Sequence, residues 1–388
     1  MGETGVDWEG RIDWPKLRAF RTANIAAAMR KEGVKALLVQ RYENVRYLTC
    51  IRPFTSLIYH PRYAAILFDD GRVCLLTEAG DLAHAKAKMP WLDEIRVWPY
   101  DNDEIIKNVS DALSENGVSS GQLAFDDVTS PTVLFALQKI FPDLQLIDWT
   151  ATFGVARARK SPEEIQVIRS AVEIAEVGMA AARDAIGEGV KESVLAARMV
   201  ASMIEAGADS IATFPQVSTD ANRRMASDAR LRHGQVVLLD INISYNGYVG
   251  DFARTYSVGG PNAEQKHAFH TQIACLDAAI GAVKPGVDIA DVHDAVKEVV
   301  MSAGLQEHWA DYITGHGVGA SIGPFEQPLI GSTLGPMRTL EEGMVIAFEP
   351  GFFDPKLGPI RNEEMVLVTE TGHEVLTKFG YCAKLGAP

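Results

Sequence analysis

The chain has 388 residues, 47% of them apolar and 23% charged, a composition of folded globular proteins that excludes disordered and fibrous classes. That length exceeds what one hydrophobic core usually serves, so two domains are expected. A net charge of −14 with a pI near 5.2 excludes general affinity for nucleic acid or anionic membrane, because phosphate would be repelled.

In chain order, Met1 to Trp14 is acidic and polar and lacks the basic-then-apolar pattern of a signal peptide. No apolar run approaches the roughly 20 residues that span a bilayer, so a cytoplasmic protein is expected. Leu17–Lys31 has a helical apolar period. Ala36–Val39 and Tyr63–Phe68 read as short strands, and Asp69-Asp70-Gly71 as the turn leading into Arg72–Leu76. The first part of the chain is thus an α/β domain with a mixed sheet. Arg157–Lys160 is a basic stretch, after which Ser161 caps a long helix with Pro162 in its first turn and Glu164 completing a capping box. The spacing places a domain boundary there, giving 1–157 and 158–388. Cys50, Cys74, Cys275 and Cys382 lack CxxC spacing, which fits a reducing compartment and excludes a disulfide scaffold or thiolate zinc site.

The second domain contains an echo. Gly189 and Gly286 each precede a helical stretch, ending at Gly207 and Gly304, and both glycine pairs are offset by 97 residues. Each copy then leads to an apolar strand with an acid at its end, Asp240 six residues after Gly234 and Glu349 six residues after Gly343. This predicts a duplicated half-domain whose strand-end carboxylates meet.

Val236–Ser257 reads as a hairpin closed by Asn246-Gly247, the pair favoured in a two-residue type I′ turn. Position 242 then faces 251 and 240 faces 253, so Asp240 and Asp251 share a face at about 7–8 Å between backbones. Two bare carboxylates so placed repel, and a divalent cation removes that penalty. Glu349 and Glu363 supply the counterpart, with Asp354–Pro359 as the loop between them, and His316 lies in Gly315-His316-Gly317-Val318-Gly319, where glycines permit close backbone approach. Four carboxylates and one imidazole favour manganese, ferrous iron or cobalt, with zinc behind them.

These motifs resemble the pita-bread metallopeptidases, in the Xaa-Pro aminopeptidase and Xaa-Pro dipeptidase branch, over nearly the whole chain from Leu17 to Val368. The matching residues are Asp240, then Gly247-Tyr248-x-x-Asp251-x-x-Arg254-Thr255, Gly-His-Gly-x-Gly at 315–319, Glu349-Pro350-Gly351 and Arg361-x-Glu363. The resemblance implies an α+β protein, with a creatinase-like N-terminal α/β domain followed by a duplicated pita-bread catalytic domain. It also implies two divalent metal ions. Asp251 and Glu363 would bridge them, Asp240 would bind one, and His316 with Glu349 the other, with a bridging hydroxide as nucleophile. A homodimer is implied as well, with Tyr59 and His60 of the first domain reaching substrate across it.

Departures from the family pattern surround the ligands. The peptidase histidine that precedes the first metal Asp matches Arg223 or Arg224 here, the one four positions before the ligand is Tyr312, and His-Glu-x-Pro reads Phe325-Glu326-Gln327-Pro328. Phe325 can neither steady an oxyanion nor carry a proton, leaving Glu326 or Glu364 to protonate a leaving amine. Asn242 replaces a family glycine and either bonds a ligand carboxylate or reaches substrate. Arg223 or Arg361 is the candidate for a small carboxylate. The expected activity is metal-dependent hydrolysis of a short peptide or amide. The alternative is a repurposed enzyme on a non-peptide metabolite, such as a dimethylsulfoniopropionate lyase, although Phe325 does not match the lyase base.

Overall fold

Residues 12–52, 62–212 and 215–385 are described by the computed structural model, whose contacts divide into two units, Met1–Arg157 and Ala158–Pro388. The segment carrying Tyr59 and His60 lies outside the described residues.

The first unit opens with α1 (Trp14–Glu32). Asp13 caps it by accepting from the Lys16 amide, and Gly33 closes it in the left-handed conformation at φ 78°. There follow β1 (Val34–Val39), α2 (Tyr42–Thr49), β2 (Ala64–Phe68), β3 (Val73–Thr77), α3 (Ala79–Lys88) and β4 (Glu94–Val97). The unit ends with α4 (Asn102–Glu115), β5 (Gly121–Phe125), α5 (Pro131–Ile140), β6 (Leu144–Asp148) and α6 (Thr150–Ala156). The sheet runs β4-β3-β2-β1-β5-β6. β1, β2 and β3 pair antiparallel and the remaining pairs are parallel, which makes the mixed sheet that the sequence pattern predicts. Leu38, Ile66, Leu76 and Leu123 on its strands pack against Val109, Leu113 and Leu137 on the helices.

The second unit begins with α7 (Pro162–Asp184), where the Ser161–Glu164 capping box forms with both of its hydrogen bonds. Then come α8 (Glu192–Glu205), β7 (Ser210–Ile211), β8 (Gln216–Ser218), β9 (Val236–Tyr245), β10 (Tyr248–Ser257), α9 (Ala263–Gly281) and α10 (Ile289–Ala303). The last elements are β11 (Gly315–Gly317), β12 (Leu329–Ile330), β13 (Val345–Phe348), β14 (Gly351–Asp354), β15 (Gly358–Arg361), β16 (Glu364–Val368) and β17 (His373–Val375). No helix among the described residues is long and apolar enough to cross a membrane.

The sequence echo is a structural one. Gly189 N–H donates to Leu231 O at 2.8 Å, and Gly286 N–H to Leu340 O at 2.9 Å. In return, the Leu231 amide bonds Val190 O and the Leu340 amide bonds Val287 O. In both halves a left-handed glycine enters this pairing, at φ 81° and 86°, and a second one, Gly234 at φ 85° and Gly343 at φ 86°, precedes the strand that bears the acid. α7 packs on α8 and α9 on α10.

The β9–β10 hairpin has the register the turn predicts. Asn246 and Gly247 both have positive φ, 50° and 80°, as a type I′ turn requires. Asp251 stands opposite Asn242 and Ala253 opposite Asp240. The second half is built differently between its acids, because β14 and β15 form a hairpin of their own there.

Candidate metal centre

Asp240 and Asp251 are brought to one face by strand alternation, two positions apart in register across β9 and β10. Asn242 lies between them. Its side-chain amide donates to Asp251 Oδ1 at 2.6 Å and to Asp240 Oδ1 at 3.3 Å, so of the two readings of Asn242 the geometry supports the carboxylate bond.

His316 is delivered by β11, where it pairs with Ala347 of β13. A Cβ added at Gly317 would collide with the Gln327 backbone, which is why a glycine follows the histidine there. Glu349 leaves β13 with its amide bonded to Thr314 O at 2.9 Å, and its Oε1 stands 3.4 Å from His316 Nε2. His316 Nε2 also stands 3.7 Å from Asp251 Oδ2.

Glu363 is set by the Asp-x-x-Arg-Thr run of β10. Its amide donates to Ala253 O at 3.0 Å, and its carbonyl accepts from Arg254 Nη1 at 2.7 Å. Thr255 Oγ1 donates to Arg361 O and accepts from the Arg361 amide, both at 2.9 Å. The motif residues that are not ligands therefore clamp the strand that brings Glu363 in.

The five predicted ligands are all buried, none more than 8% exposed. All five border one cavity of about 400 Å³, together with Asn242, Tyr312, Arg361, Arg224 and others. Ligand atoms of Asp251, His316 and Glu363 lie within 4.8 Å of one another. Burial, then Glu363 and Glu349, hold the Asp251 carboxyl well above the usual carboxylate range, with Asn242 pulling the other way. Burial and Glu349 lift Glu363 to about 7 against the pull of Arg361 and His316. Burial opposes charge on His316, yet its bond to Glu349 and the nearby carboxylates lift it to about 9.

Arg361 crosses this cluster. Its guanidinium donates to Asp240 Oδ2 and pairs with Glu349 Oε2 at 2.6 Å. Burial lowers its pKa, while Glu363 raises it and Arg224 lowers it further. Arg361, His316 and the exposed Arg224 are the cations bordering the cavity against four carboxylates, and Glu363 Oε1 is buried without a hydrogen-bond partner. An excess of buried negative charge with an orphaned oxygen is what divalent cations correct, so the residues fit metal binding.

The remaining candidates separate. Tyr312 borders the cavity and its hydroxyl accepts from Arg224 Nη2 at 3.0 Å. Of Arg223 and Arg224, it is thus Arg224 that borders this cavity, alongside Arg361. Arg223 instead grips Glu192, with Nη2 at 2.5 and 2.6 Å from the two carboxylate oxygens. Phe325 is half-buried and is not among the residues bordering the cavity. Glu326 is fully buried in an ion pair with Lys160 at 2.9 Å and is not among the residues bordering the cavity. Glu364, the first residue of β16, does not border the cavity and accepts from Arg254 at 2.9 Å and Tyr381 at 2.6 Å, and also from Thr377. Both acids expected to move protons are thus held in ion pairs outside the cavity.

Sequence reasoning missed Glu192. It is completely buried and accepts from Thr219, Arg223 and Ser227, so it ties down the loop that presents Arg224. In the sequence it is one more acid in a helix's first turn, and nothing marks it.

Comparison with known proteins places the parts. Residues 166–370 match the model of metallopeptidase family M24, and residues 21–159 that of the creatinase/prolidase N-terminal domain. The chain is similar to an Xaa-Pro dipeptidase of Pyrococcus furiosus, 28% identical over 92% of this chain and 97% of the relative. Among solved structures it resembles a prolidase from Pyrococcus horikoshii, with TM-score 0.79 and 25% identity over 93% of this chain and 99% of that one. A prolidase from Thermococcus sibiricus gives TM-score 0.82 and 25% identity over 94% and 98%.

Proposed function

Because the chain belongs to metallopeptidase family M24 and carries a creatinase/prolidase N-terminal domain, we propose that it hydrolyses short Xaa-Pro peptides with two divalent metal ions. The observation that carries this reading is the convergence of Asp240, Asp251, His316, Glu349 and Glu363 on one buried cavity with excess negative charge.

In this reading Asp251 and Glu363 would be shared ligands, Asp240 would hold one ion, and His316 with Glu349 would hold the other. When bound, the ions supply water of lowered pKa and polarise the scissile carbonyl. Hard oxygen donors with one imidazole suit manganese, ferrous iron or cobalt. Asn242 keeps the two aspartates of β9 and β10 at their spacing. Arg361 orients Asp240 and Glu349 from the other side. The leaving amine needs a proton, and of the cavity-bordering groups not assigned to an ion, Tyr312 has a hydroxyl that can carry one, whereas Glu326 and Glu364 do not border the cavity. The named relatives are dipeptidases, and nothing among them favours the lyase alternative. A homodimer is part of the same reading and is checked by light scattering.

The deciding experiment is release of proline from Gly-Pro and Ala-Pro by protein stripped of metal and then reloaded with manganese or iron. Turnover that appears only on reloading is the expected result. Absence of turnover on every Xaa-Pro dipeptide, by protein shown to hold about two ions per chain, would sink the reading.

A further inference from the structure

Asp251 and Glu363 are both tied to one stretch of chain, residues 376–381, which follows β17 and does not border the ligand cavity. The tie to Glu363 runs through Arg254. That side chain is 1% exposed and makes five hydrogen bonds, as many as a guanidinium has N–H groups. Two of them go to Ala253 O at 2.9 Å and to Glu363 O at 2.7 Å, both from Nη1. Phe379 O accepts two more, from Nε at 3.0 Å and Nη2 at 2.5 Å, and Glu364 Oε1 accepts the fifth at 2.9 Å.

Glu364 is gripped by the same stretch. Its Oε1 accepts from the Tyr381 hydroxyl at 2.6 Å, and its Oε2 accepts from the Thr377 hydroxyl. Burial and the neighbouring Glu364 push the Tyr381 phenol well up, so it stays a donor. The Tyr381 ring centre lies 4.7 Å from the Arg254 guanidinium carbon, and that of Phe252 lies 5.1 Å from it. The tie to Asp251 runs through Met365. The Leu376 amide donates to Met365 O at 2.8 Å, and the Asp251 amide donates to Met365 Sδ at 3.2 Å. The stretch is fixed in turn to α7, where Glu176 accepts from the Lys378 amide at 2.5 Å and Arg183 covers the Phe379 ring at 5.1 Å.

A guanidinium is planar and rigid, so the bonds on some of its N–H groups set the aim of the rest. Three of the five Arg254 bonds end on Phe379 and Glu364, and a shift of either re-aims the donor that holds Glu363 O. Glu363 must keep its place beside other buried carboxylates that repel it, so the aim of that donor bears on any ion they hold.

We propose that residues 376–381 are a strap that sets the metal centre from outside its cavity, with Thr377 and Tyr381 as positioning residues acting through Glu364 and Arg254 on Glu363. The inference rests on the proposed metal centre for what Glu363 does, and on the hydrogen-bond chain for how the strap reaches it.

The test compares wild type with Thr377→Val, Thr377→Ser and Tyr381→Phe, and uses Gly189→Ala as a destabilised control. Valine keeps the shape of threonine without its hydroxyl, serine keeps the hydroxyl, and phenylalanine keeps the ring beside Arg254. Gly189 bonds Leu231 and takes no part in the network. Manganese affinity is read by competition with a chelating dye, and Ala-Pro kinetics are run at saturating manganese. Thr377→Val and Tyr381→Phe each weaken manganese binding about three- to tenfold, less than the loss of a group that bonds a ligand directly. kcat falls by a similar factor, and KM stays within about twofold because no strap residue borders the cavity. Thr377→Ser restores both, and Gly189→Ala changes neither. Wild-type affinity in both Thr377→Val and Tyr381→Phe overturns the strap and leaves the hydrolase standing. An equal loss in Gly189→Ala also overturns the strap, because affinity then follows stability alone. Weakened binding in the two variants without turnover by any of the proteins supports the strap and overturns only the proposed hydrolysis. Wild type that binds no manganese overturns the metal centre and the strap together.

Discussion

The two halves of the second unit share a scaffold and differ in how they finish it. In the first half, β9 and β10 run unbroken for ten residues each and close with a two-residue turn. In the second, the strand bearing Glu349 stops, a separate β14–β15 hairpin intervenes, and Arg361 at its end precedes Glu363 by two positions. The first half therefore fixes its ligands by register alone, with Asn242 filling the place between them. The second brings its ligands in at strand ends and adds a guanidinium that reaches back to Asp240 of the first. Duplication supplies the placement of carboxylates, and the interruption of one copy supplies a guanidinium that offsets part of their charge.

If the halves are equivalent in metal binding, their matching central ligands fail alike. Asp251→Asn and Glu363→Gln should each lower peptide hydrolysis by about a thousandfold or more, and both should reduce bound metal measured by atomic emission. Unequal metal loss would show that one half dominates the site. Asn242 tests the device found in the first half only. Asn242→Ala removes the donor shared by Asp240 and Asp251, and metal affinity should fall about 10–100-fold, read by competition with a chelating dye. An unchanged affinity would mean that register alone suffices there too.

The second half concentrates the shifted groups, and this gives a pH signature. His316, raised from 6.5 to about 9, contributes stability that is full below 6.5 and is lost as pH rises through 9. Glu363, raised from 4.5 to about 7, favours the fold while protonated, and that contribution is lost as pH rises from 4.5 through 7. Both slopes have the same sign. The unfolding midpoint of metal-free protein should fall by roughly 5–10 °C between about pH 5 and pH 9, followed by calorimetry, and excess manganese should flatten the curve. A midpoint that rises over that range would contradict the electrostatics assigned to this half.

What could be read from the sequence follows the same division. The hairpin of the first half was legible in full, because a period of two residues and a two-residue turn leave one register, and Asp251 opposite Asn242 follows from Asn246-Gly247. The ligand strands of the second half were legible as an ordered set of motifs, and the loop read at Asp354–Pro359 contains the turn at 355–357, but the β14–β15 hairpin that this turn closes was not read. The direction of the flanking acids was not legible. Glu326 is claimed by Lys160, 166 residues earlier, and Glu364 by Arg254, 110 residues earlier, and no local pattern encodes such pairings. Arg223 and Arg224 differ by one position, and which of them meets the cavity depends on Glu192 drawing Arg223 away.

The smallest expected effect tests the scaffold without touching the metal centre. Gly189 and Gly286 occupy matching places 97 residues apart, both at left-handed φ, 81° and 86°. A Cβ added at either meets nothing within 4 Å, so packing contributes nothing to the cost of a substitution. What remains is the backbone penalty of a left-handed alanine, about 1 kcal/mol. Alanine also narrows the unfolded ensemble, which offsets part of that penalty equally at both sites. Gly189→Ala and Gly286→Ala should therefore each lower the unfolding midpoint by roughly 2–4 °C and leave metal content unchanged. Gly189 bonds Leu231 and Gly286 bonds Leu340, so the sites share no partner and the double variant should show the sum of the two shifts. A shift at one site only would mean that the halves are alike in trace but not in stability. A double variant that falls well beyond the sum would mean that the halves unfold as one and that strain in either is felt by both.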